Sequence, residues 1–354
     1  MIDKLKEYLK SAPFDAALII SPENRFYFTR FASSDGYLIA TAEKAVFITD
    51  GRYIEAAQKT VDGCEVLLQT RSMSQIKDTL ASLGAKSVAV EADRMTLKQY
   101  ADFVRALDGI DIIADGVLDA AITDIRSVKD KSEVEKIIKA QRIAEDAFRH
   151  ILTFIKEGVT EKEVALELDY YMLSHGADGL SFETIAISGK NTSKPHGVPS
   201  DKKIEKGDFV TMDFGAVVKG YHSDMTRTVA VGFVSEEQRT VYNTVLEAQA
   251  KAQLAARSGE LCKNVDRAAR EVIENAGYGE YFNHSTGHGV GVEIHELPNL
   301  SPVYEKELVA GNVVTDEPGI YIPERFGVRI EDMLLITESG CENLTRAPKE
   351  LIIL

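Results

Sequence analysis

The 354-residue chain is long enough for two domains, and its 44% hydrophobic and 27% charged residues are the composition of a folded globular protein, not a disordered or fibrous one. Lysine and arginine total 41 against 56 aspartates and glutamates, a net charge of −15 that disfavours nucleic acid as a partner and attracts cations, metal ions included. No apolar run reaches the length of about 18 residues needed to span a membrane, and Cys64, Cys262 and Cys341 are too few and too scattered for a disulfide framework or a zinc cluster. The first ten residues are charged and amphipathic rather than a secretion signal, so a cytoplasmic protein is expected.

In chain order, Ala16–Ile20, Gly36–Ala40, Ala45–Ile48 and Val88–Val90 read as short buried strands. Between them Ile54–Lys59, Ser74–Leu83 and Leu97–Leu107 carry helical spacing of apolar residues. The alternation predicts a layered α/β domain over residues 1–124. This stretch holds no histidine and no acidic cluster with ligand spacing, which makes it a scaffold or a substrate gate.

The pattern changes at Asp124–Asp130. A long helix is predicted from Ser132 to Phe154, then a second from Thr160, whose Glu163 three residues on completes a capping box. It stops near Gly176. The layout then recurs: Ser235 with Gln238 opens a helix to about Arg257, and Val265–Ala276 forms another that stops at Gly277. Such a recurrence predicts an internal duplication of a helix–helix–strands unit.

Each unit ends in a hairpin carrying two acidic residues. Val210–Ala216 and Ser223–Val231 flank a turn at Lys219–Gly220, with Asp213 and Asp224 on opposite arms. Val313–Ile322 and Val328–Ile336 flank a turn containing Pro323 and Gly327, with Glu317 and Glu331 on opposite arms. Each pair is expected to face its partner across the hairpin, where like charges repel unless a cation lies between them. If the two units pack about a pseudo-two-fold, four carboxylates converge into a cage that must take up protons or metal ions.

Histidines strengthen this reading. All seven lie between residues 150 and 295, and His284, His288 and His295 crowd one glycine-rich segment. Gly287 and Gly289 flank His288 and permit close backbone approach. A phosphate loop is disfavoured, because the segment lacks both the Lys-Ser/Thr of a P-loop and the full dinucleotide spacing. Four hard carboxylates and one imidazole suit two divalent ions, Mn²⁺ first, with Co²⁺, Fe²⁺ or Zn²⁺ as alternatives and Mg²⁺ less suitable. Two such ions bridged by a hydroxide make a hydrolytic centre.

The run from Asp213 through Gly-Tyr-His-Ser to Asp224-Met-Thr-Arg-Thr resembles the metal-binding hairpin of the Xaa-Pro peptidases. So do His284-Ser-Thr-Gly-His288-Gly-Val-Gly, Glu317-Pro-Gly-Ile-Tyr321 and Gly327-Val-Arg-Ile-Glu331-Asp. That family comprises prolidase and aminopeptidase P, within the pita-bread metallopeptidases. Asn24-Arg-Phe-Tyr-Phe-Thr-Arg-Phe and Ile48-Thr-Asp-Gly-Arg-Tyr53 resemble its amino-terminal domain, and Ile125-Arg-Ser-Val-Lys129 its linker.

The resemblance implies an α/β amino-terminal domain with a mixed sheet over residues 1–124, a linker over 125–131, and an α+β pita-bread catalytic domain with pseudo-two-fold duplication over 132–354. It implies that Asp213 chelates one metal, Asp224 and Glu331 bridge, and His288 and Glu317 bind the other. Glu317 would also shuttle a proton. His196 would lie near the scissile amide, His295 would stabilise the tetrahedral intermediate, and His284 would line the substrate pocket. Arg329 would orient a carboxylate or substrate group, with Tyr321 a further substrate-site candidate. His150, His175 and His222 match no functional position. Asp316 departs from the family, which places an apolar residue there, and strand alternation should turn it away from the metals.

The activity implied is hydrolysis of Xaa-Pro dipeptides, with aminopeptidase P action on Xaa-Pro-Yaa peptides as the alternative. A non-catalytic pita-bread binding module is a remote third reading, since all five ligand positions are filled. Methionine aminopeptidase is disfavoured by the amino-terminal domain, and creatinase by the intact ligand set. A homodimer whose amino-terminal domain helps close the partner's site is the expected assembly, with no nucleic acid and no membrane as partners.

Overall fold

The computed structural model describes residues 1–354, and the chain divides into two compact units, Met1–Arg126 and Ser127–Leu354. The first unit is built on a six-stranded sheet in the order Glu65–Leu68, Ala45–Thr49, Tyr37–Thr41, Ala16–Ile19, Ser87–Val90, Asp111–Ile113. The sheet is mixed. Ala16–Ile19 pairs antiparallel with Tyr37–Thr41 but parallel with Ser87–Val90, and Ala45–Thr49 pairs parallel with Glu65–Leu68. Central strands buried at every position, such as Ala16–Ile19 and Ala45–Thr49, have both faces covered, as parallel pairing with crossover helices requires. Leu18, Ile39, Ile48, Leu80, Val88 and Phe103 form the core.

The expected strands and helices of this unit are present with shifted ends. Helix Pro22–Thr29 escapes an apolar-spacing reading because its buried residues mix polar and aromatic side chains: Asn24 and Arg25 are buried alongside Tyr27 and Phe28. The Asn24 amide donates to the buried Glu91 carboxylate at 2.6 Å, which also accepts from Ser21. Ser21 caps this helix and Pro22 opens it, a start signal that needs no hydrophobic stripe.

In the second unit the two expected capping boxes are present: Thr160 with Glu163 opens Glu161–Ser174, and Ser235 with Gln238 opens Glu236–Ala255. A third, Asp130 with Glu133, opens Lys131–Phe154. Gly176 and Gly277 follow the ends of Glu161–Ser174 and Cys262–Asn275 with φ of 102° and 85°, the left-handed conformation that glycine adopts without strain.

Two helix pairs cover two sheets. Lys131–Phe154 and Glu161–Ser174 bury Phe148, Leu168 and Met172 against Met212, Phe214 and Val229. Glu236–Ala255 and Cys262–Asn275 bury Val241, Val265 and Ile273 against Val314, Val328 and Leu334. The first sheet has the order Met225–Ala230, Phe209–Phe214, Ile185–Ser188. The second has the order Glu296–Leu300, Gly287–Gly289, Val313–Asp316, Asp332–Ile336, Cys341–Asn343. Each core is thus a helix pair on an antiparallel sheet, and the duplication expected from layout is realised in packing. A buried ion pair, Arg227 Nη2 to Asp332 Oδ1 at 2.7 Å, ties a strand of one sheet to a strand of the other.

Candidate metal centre

The acidic hairpins do not continue as unbroken ladders. In the first, Phe209–Phe214 pairs with Met225–Ala230, whereas Ala216–Val218 pairs with Tyr221–His222 in a separate sheet. The turn is two residues, Lys219 and Gly220, both at positive φ, which is type I′ geometry matched to strand twist. This tight turn sets the register so that Asp213 lies opposite Thr226, not opposite Asp224. The expected face-to-face pair is therefore diagonal. Gly215 sits at the break between the two ladders, where a Cβ would approach the Ser223 carbonyl oxygen to 1.9 Å.

The second hairpin keeps the expected register but is also broken. Asp316 pairs with Asp332 in one sheet and Gly319 with Arg329 in another. Glu317 and Glu331 fall between these ladders, with Pro318 removing a backbone donor after Glu317. Asp224, Glu317 and Glu331 thus all occupy the points where strands change sheets.

These breaks aim the side chains into one cavity of 590 Å³, which Asp213, Asp224, His288, Glu317, Glu331 and Arg329 line. Ligand atoms of Asp224, His288 and Glu331 lie within 4.8 Å of one another. His288 Nε2 is 3.6 Å from Asp224 Oδ2 and 3.4 Å from Glu317 Oε1. His288 Nδ1 faces the Gly289 carbonyl at 3.0 Å. A carbonyl only accepts, so Nδ1 carries the proton and the Nε2 lone pair points at the carboxylates. The flanking glycines are sterically required: a Cβ on Gly287 would lie 2.0 Å from Thr315 O, and one on Gly289 2.6 Å from Leu297 O.

Each outer carboxylate keeps one oxygen committed and one free. Arg329 Nη2 donates to Asp213 Oδ2 at 2.5 Å, leaving Oδ1 buried with no hydrogen-bond partner. Thr226 Oγ1 donates to Glu331 Oε2 at 2.6 Å, leaving Oε1 likewise without one. Burial, and then the neighbouring carboxylates, hold Asp224 and Glu331 well above the usual carboxylate range. Burial also pushes Glu317 up to about 7. Orphaned oxygens, crowded anions and a correctly directed imidazole are the donor set of a divalent cation site, and the residues fit metal ions.

Other sequence-derived candidates fall around this centre. His284 and His295 line the cavity, as does His196, and the His295 ring stands edge-on to His288 with centroids 4.4 Å apart. His284 Nδ1 donates to Ser285 O, and its Nε2 accepts from Tyr321 OH at 2.9 Å. Tyr321 OH in turn accepts from Arg329 Nη1 at 2.9 Å. Burial and then the Arg329 charge lower His284 to about 4, so it is neutral at physiological pH. Asp316 turns away from the cavity and is fully buried, with neither carboxylate oxygen partnered. His150 and His175 stack on either face of Tyr171, and His150 bonds Glu167, well outside the cavity lining.

Thr226, Thr315 and the Arg227–Asp332 pair carry no signal of a site role in composition or spacing alone. The Met-Thr-Arg-Thr run after Asp224 was the available signal, but which threonine faces inward depends on the register that the Lys219–Gly220 turn sets.

Comparison with known proteins places this geometry in context. Residues 135–338 match Metallopeptidase family M24, and residues 1–128 match the Creatinase/Prolidase N-terminal domain. A peptidase of Bacillus subtilis is 45% identical over 354 residues, covering 100% of this chain and 99% of that protein. An Xaa-Pro dipeptidase of Pyrococcus furiosus is 39% identical, covering 99% of each. Among solved structures, an Xaa-Pro dipeptidase from Bacillus anthracis superimposes with a TM-score of 0.95 at 41% identity, covering 100% of this chain and 99% of that one. An X-Pro aminopeptidase from Thermotoga maritima gives 0.92 at 37% identity, covering 99% and 100%.

Proposed function

Because the chain belongs to metallopeptidase family M24 and carries its pita-bread catalytic fold behind a creatinase-type amino-terminal domain, we propose that it is an Xaa-Pro dipeptidase dependent on two divalent ions. The observation that carries this reading is the convergence of four carboxylates and one imidazole on a single cavity, with Asp213 Oδ1 and Glu331 Oε1 left unpartnered. Asp213, Asp224, His288, Glu317 and Glu331 would hold the ions. Their carboxylate-rich, mixed oxygen and nitrogen character favours Mn²⁺ over Co²⁺, Fe²⁺ or Zn²⁺. When bound, the ions supply Lewis acidity towards the carbonyl and lower the pKa of water into the physiological range.

The protein's own groups carry the rest. Glu317 accepts the proton of the attacking water and returns it to the departing proline nitrogen, so that OH is added at the carbonyl carbon and H at nitrogen. His295, exposed at the cavity wall, donates to the oxyanion of the tetrahedral intermediate. His196, in the lining of the same cavity, hydrogen-bonds at the scissile amide. The imide nitrogen has no hydrogen and the proline ring fixes φ, so a dedicated pocket lined by His284 suits it better than a general peptide cleft; Tyr321, expected at the substrate site, is buried outside the cavity lining and donates to His284 instead.

A second reading, aminopeptidase P action on Xaa-Pro-Yaa peptides, draws on the state of Arg329. It is the one arginine of the cavity lining, where no lysine stands among the described residues. It already donates to Asp213, Thr226, Tyr321 and the Pro195 carbonyl. A free proline carboxylate would find little uncommitted cationic surface there, whereas a following peptide bond needs none. A homodimer in a cytoplasmic setting is the assembly consistent with this reading.

The deciding experiment is a panel of Xaa-Pro dipeptides against Xaa-Pro-Yaa tripeptides with Mn²⁺, Co²⁺ and Zn²⁺. Faster hydrolysis of dipeptides supports the dipeptidase. Preference for tripeptides selects the aminopeptidase, and a folded protein that binds no divalent ion refutes both.

A further inference from the structure

We propose that Thr226 and Thr315 are a matched pair of positioning residues, one in each half of the catalytic unit, whose hydroxyls fix the two glutamates Glu331 and Glu317 for metal binding. The inference rests on the reading of those glutamates as metal ligands. Both threonines are fully buried, so water does not compete for their bonds.

The argument turns on hydrogen-bond polarity. A hydroxyl has one proton and can both donate and accept. Thr226 Oγ1 accepts from Arg329 Nε at 3.0 Å and faces Glu331 Oε2 at 2.6 Å. A guanidinium only donates, so the Thr226 proton is directed to Glu331. Thr315 repeats the logic with a different donor. Its Oγ1 accepts from the His288 backbone N–H at 3.0 Å and donates to Glu317 Oε1 at 3.1 Å. In both halves a donor-only N–H forces the hydroxyl proton onto a glutamate oxygen.

The effect is to assign the oxygens. With Oε2 engaged by Thr226, Glu331 keeps Oε1 unpartnered for a cation. Thr226 holds the same residue a second time, since its carbonyl accepts the Glu331 N–H at 3.1 Å. Thr315 links Glu317 to the backbone of His288, so two candidate ligands distant in sequence share one hydroxyl. A carboxylate held this way loses little rotamer freedom on binding a cation, and outer partners of this kind typically change metal affinity by about 10–100-fold.

The test uses the full-length protein stripped with EDTA and titrated with Mn²⁺ by calorimetry, alongside KM and kcat at saturating Mn²⁺. Thr226→Val and Thr315→Val keep the shape and remove the proton; each is expected to weaken Mn²⁺ binding by about 10–100-fold. Thr226→Ser and Thr315→Ser keep the proton and are expected to retain parental affinity. Thr226→Cys and Thr315→Cys, which leave a weak donor, should fall between. Valine variants that bind Mn²⁺ as the parent does, with only the metal-free melting temperature lowered, would reduce the threonines to packing and overturn the proposal. Serine variants as weak as valine would overturn it too, by assigning the effect to the methyl group. Should a valine variant not fold, the serine and cysteine affinities still decide. A parent that binds no Mn²⁺ refutes the metallopeptidase reading instead, which separates the two failures.

Discussion

The Arg329 guanidinium donates from Nη2 to Asp213 Oδ2 at 2.5 Å, with only 4% and 13% of the two side chains exposed. The same guanidinium reaches Thr226, Tyr321 and the Pro195 carbonyl. It is therefore the one cation among the cavity's carboxylates and sets the direction of one of them. Lysine keeps the charge but not the planar fork. Arg329→Lys is expected to lower Mn²⁺ affinity by about 10–100-fold, read by calorimetry, with the circular dichroism spectrum unchanged. Parental affinity in this variant would remove Arg329 from the site's organisation.

Removal of metal should make stability depend on pH in a defined direction. Asp224, Glu317 and Glu331 bind protons more tightly in the folded protein than unfolded, because burial raises their pKa values. Their contribution is present at low pH and lost as pH rises through the folded values, about 7 for Glu317. His284, His288 and His295 are shifted the opposite way, below the ordinary 6.5, and above that pH they are largely neutral folded or unfolded. Between pH 6.5 and 8 the metal-free protein should lose stability, at up to about 1.4 kcal/mol per pH unit for each titrating carboxyl, and its melting temperature should fall accordingly. The gap to the Mn²⁺-loaded protein should widen over the same range; a constant gap in paired thermal scans would contradict the crowded-carboxylate site.

Asp316 is buried with both oxygens unpartnered, and burial, then the facing Asp332, hold its carboxyl well above the usual range. An unsatisfied buried polar group costs about 1–3 kcal/mol. Asp316→Val, suited to a strand, should raise the melting temperature, most strongly at pH 8, where the acid would otherwise be driven to ionise. Hydrolysis should be unaffected, since the side chain lies outside the cavity. A destabilised variant would mean that Asp316 has a partner that geometry does not reveal.

Gly287→Ala tests the close approach behind His288. The added Cβ would lie 2.0 Å from the Thr315 carbonyl oxygen, and backbone cannot yield as a flexible side chain can. Overpacking of this kind costs about 1–3 kcal/mol or more. Both the melting temperature and Mn²⁺ binding should drop, because the shift moves His288 and Thr315 together.

His295→Leu separates chemistry from metal binding. If His295 donates to the oxyanion, removing that donor should lower kcat about 10²–10³-fold, while metal content by elemental analysis stays at the parental value. Loss of metal in this variant would make His295 a ligand instead.

The chain alone determined most of the helices of the second unit. Their ends are written in local chemistry, such as the capping boxes at Thr160 and Ser235 and the glycines 176 and 277, which act within a few residues. It also pointed to Asp213, Asp224, Glu317 and Glu331 as one set, because like charges on paired strands demand a cation, and the family resemblance added His288. Tertiary structure alone decided their arrangement. The diagonal placement of Asp213 and Asp224 follows from a two-residue turn, and the strand breaks follow from a change of sheet at Gly215 and Pro318. The roles of Thr226 and Thr315 were hidden for the same reason. A threonine's hydroxyl takes its direction from whichever donor packs against it: for Thr226 that is Arg329, adjacent only once the two halves have packed, and for Thr315 the His288 backbone, brought close by strand pairing within one sheet.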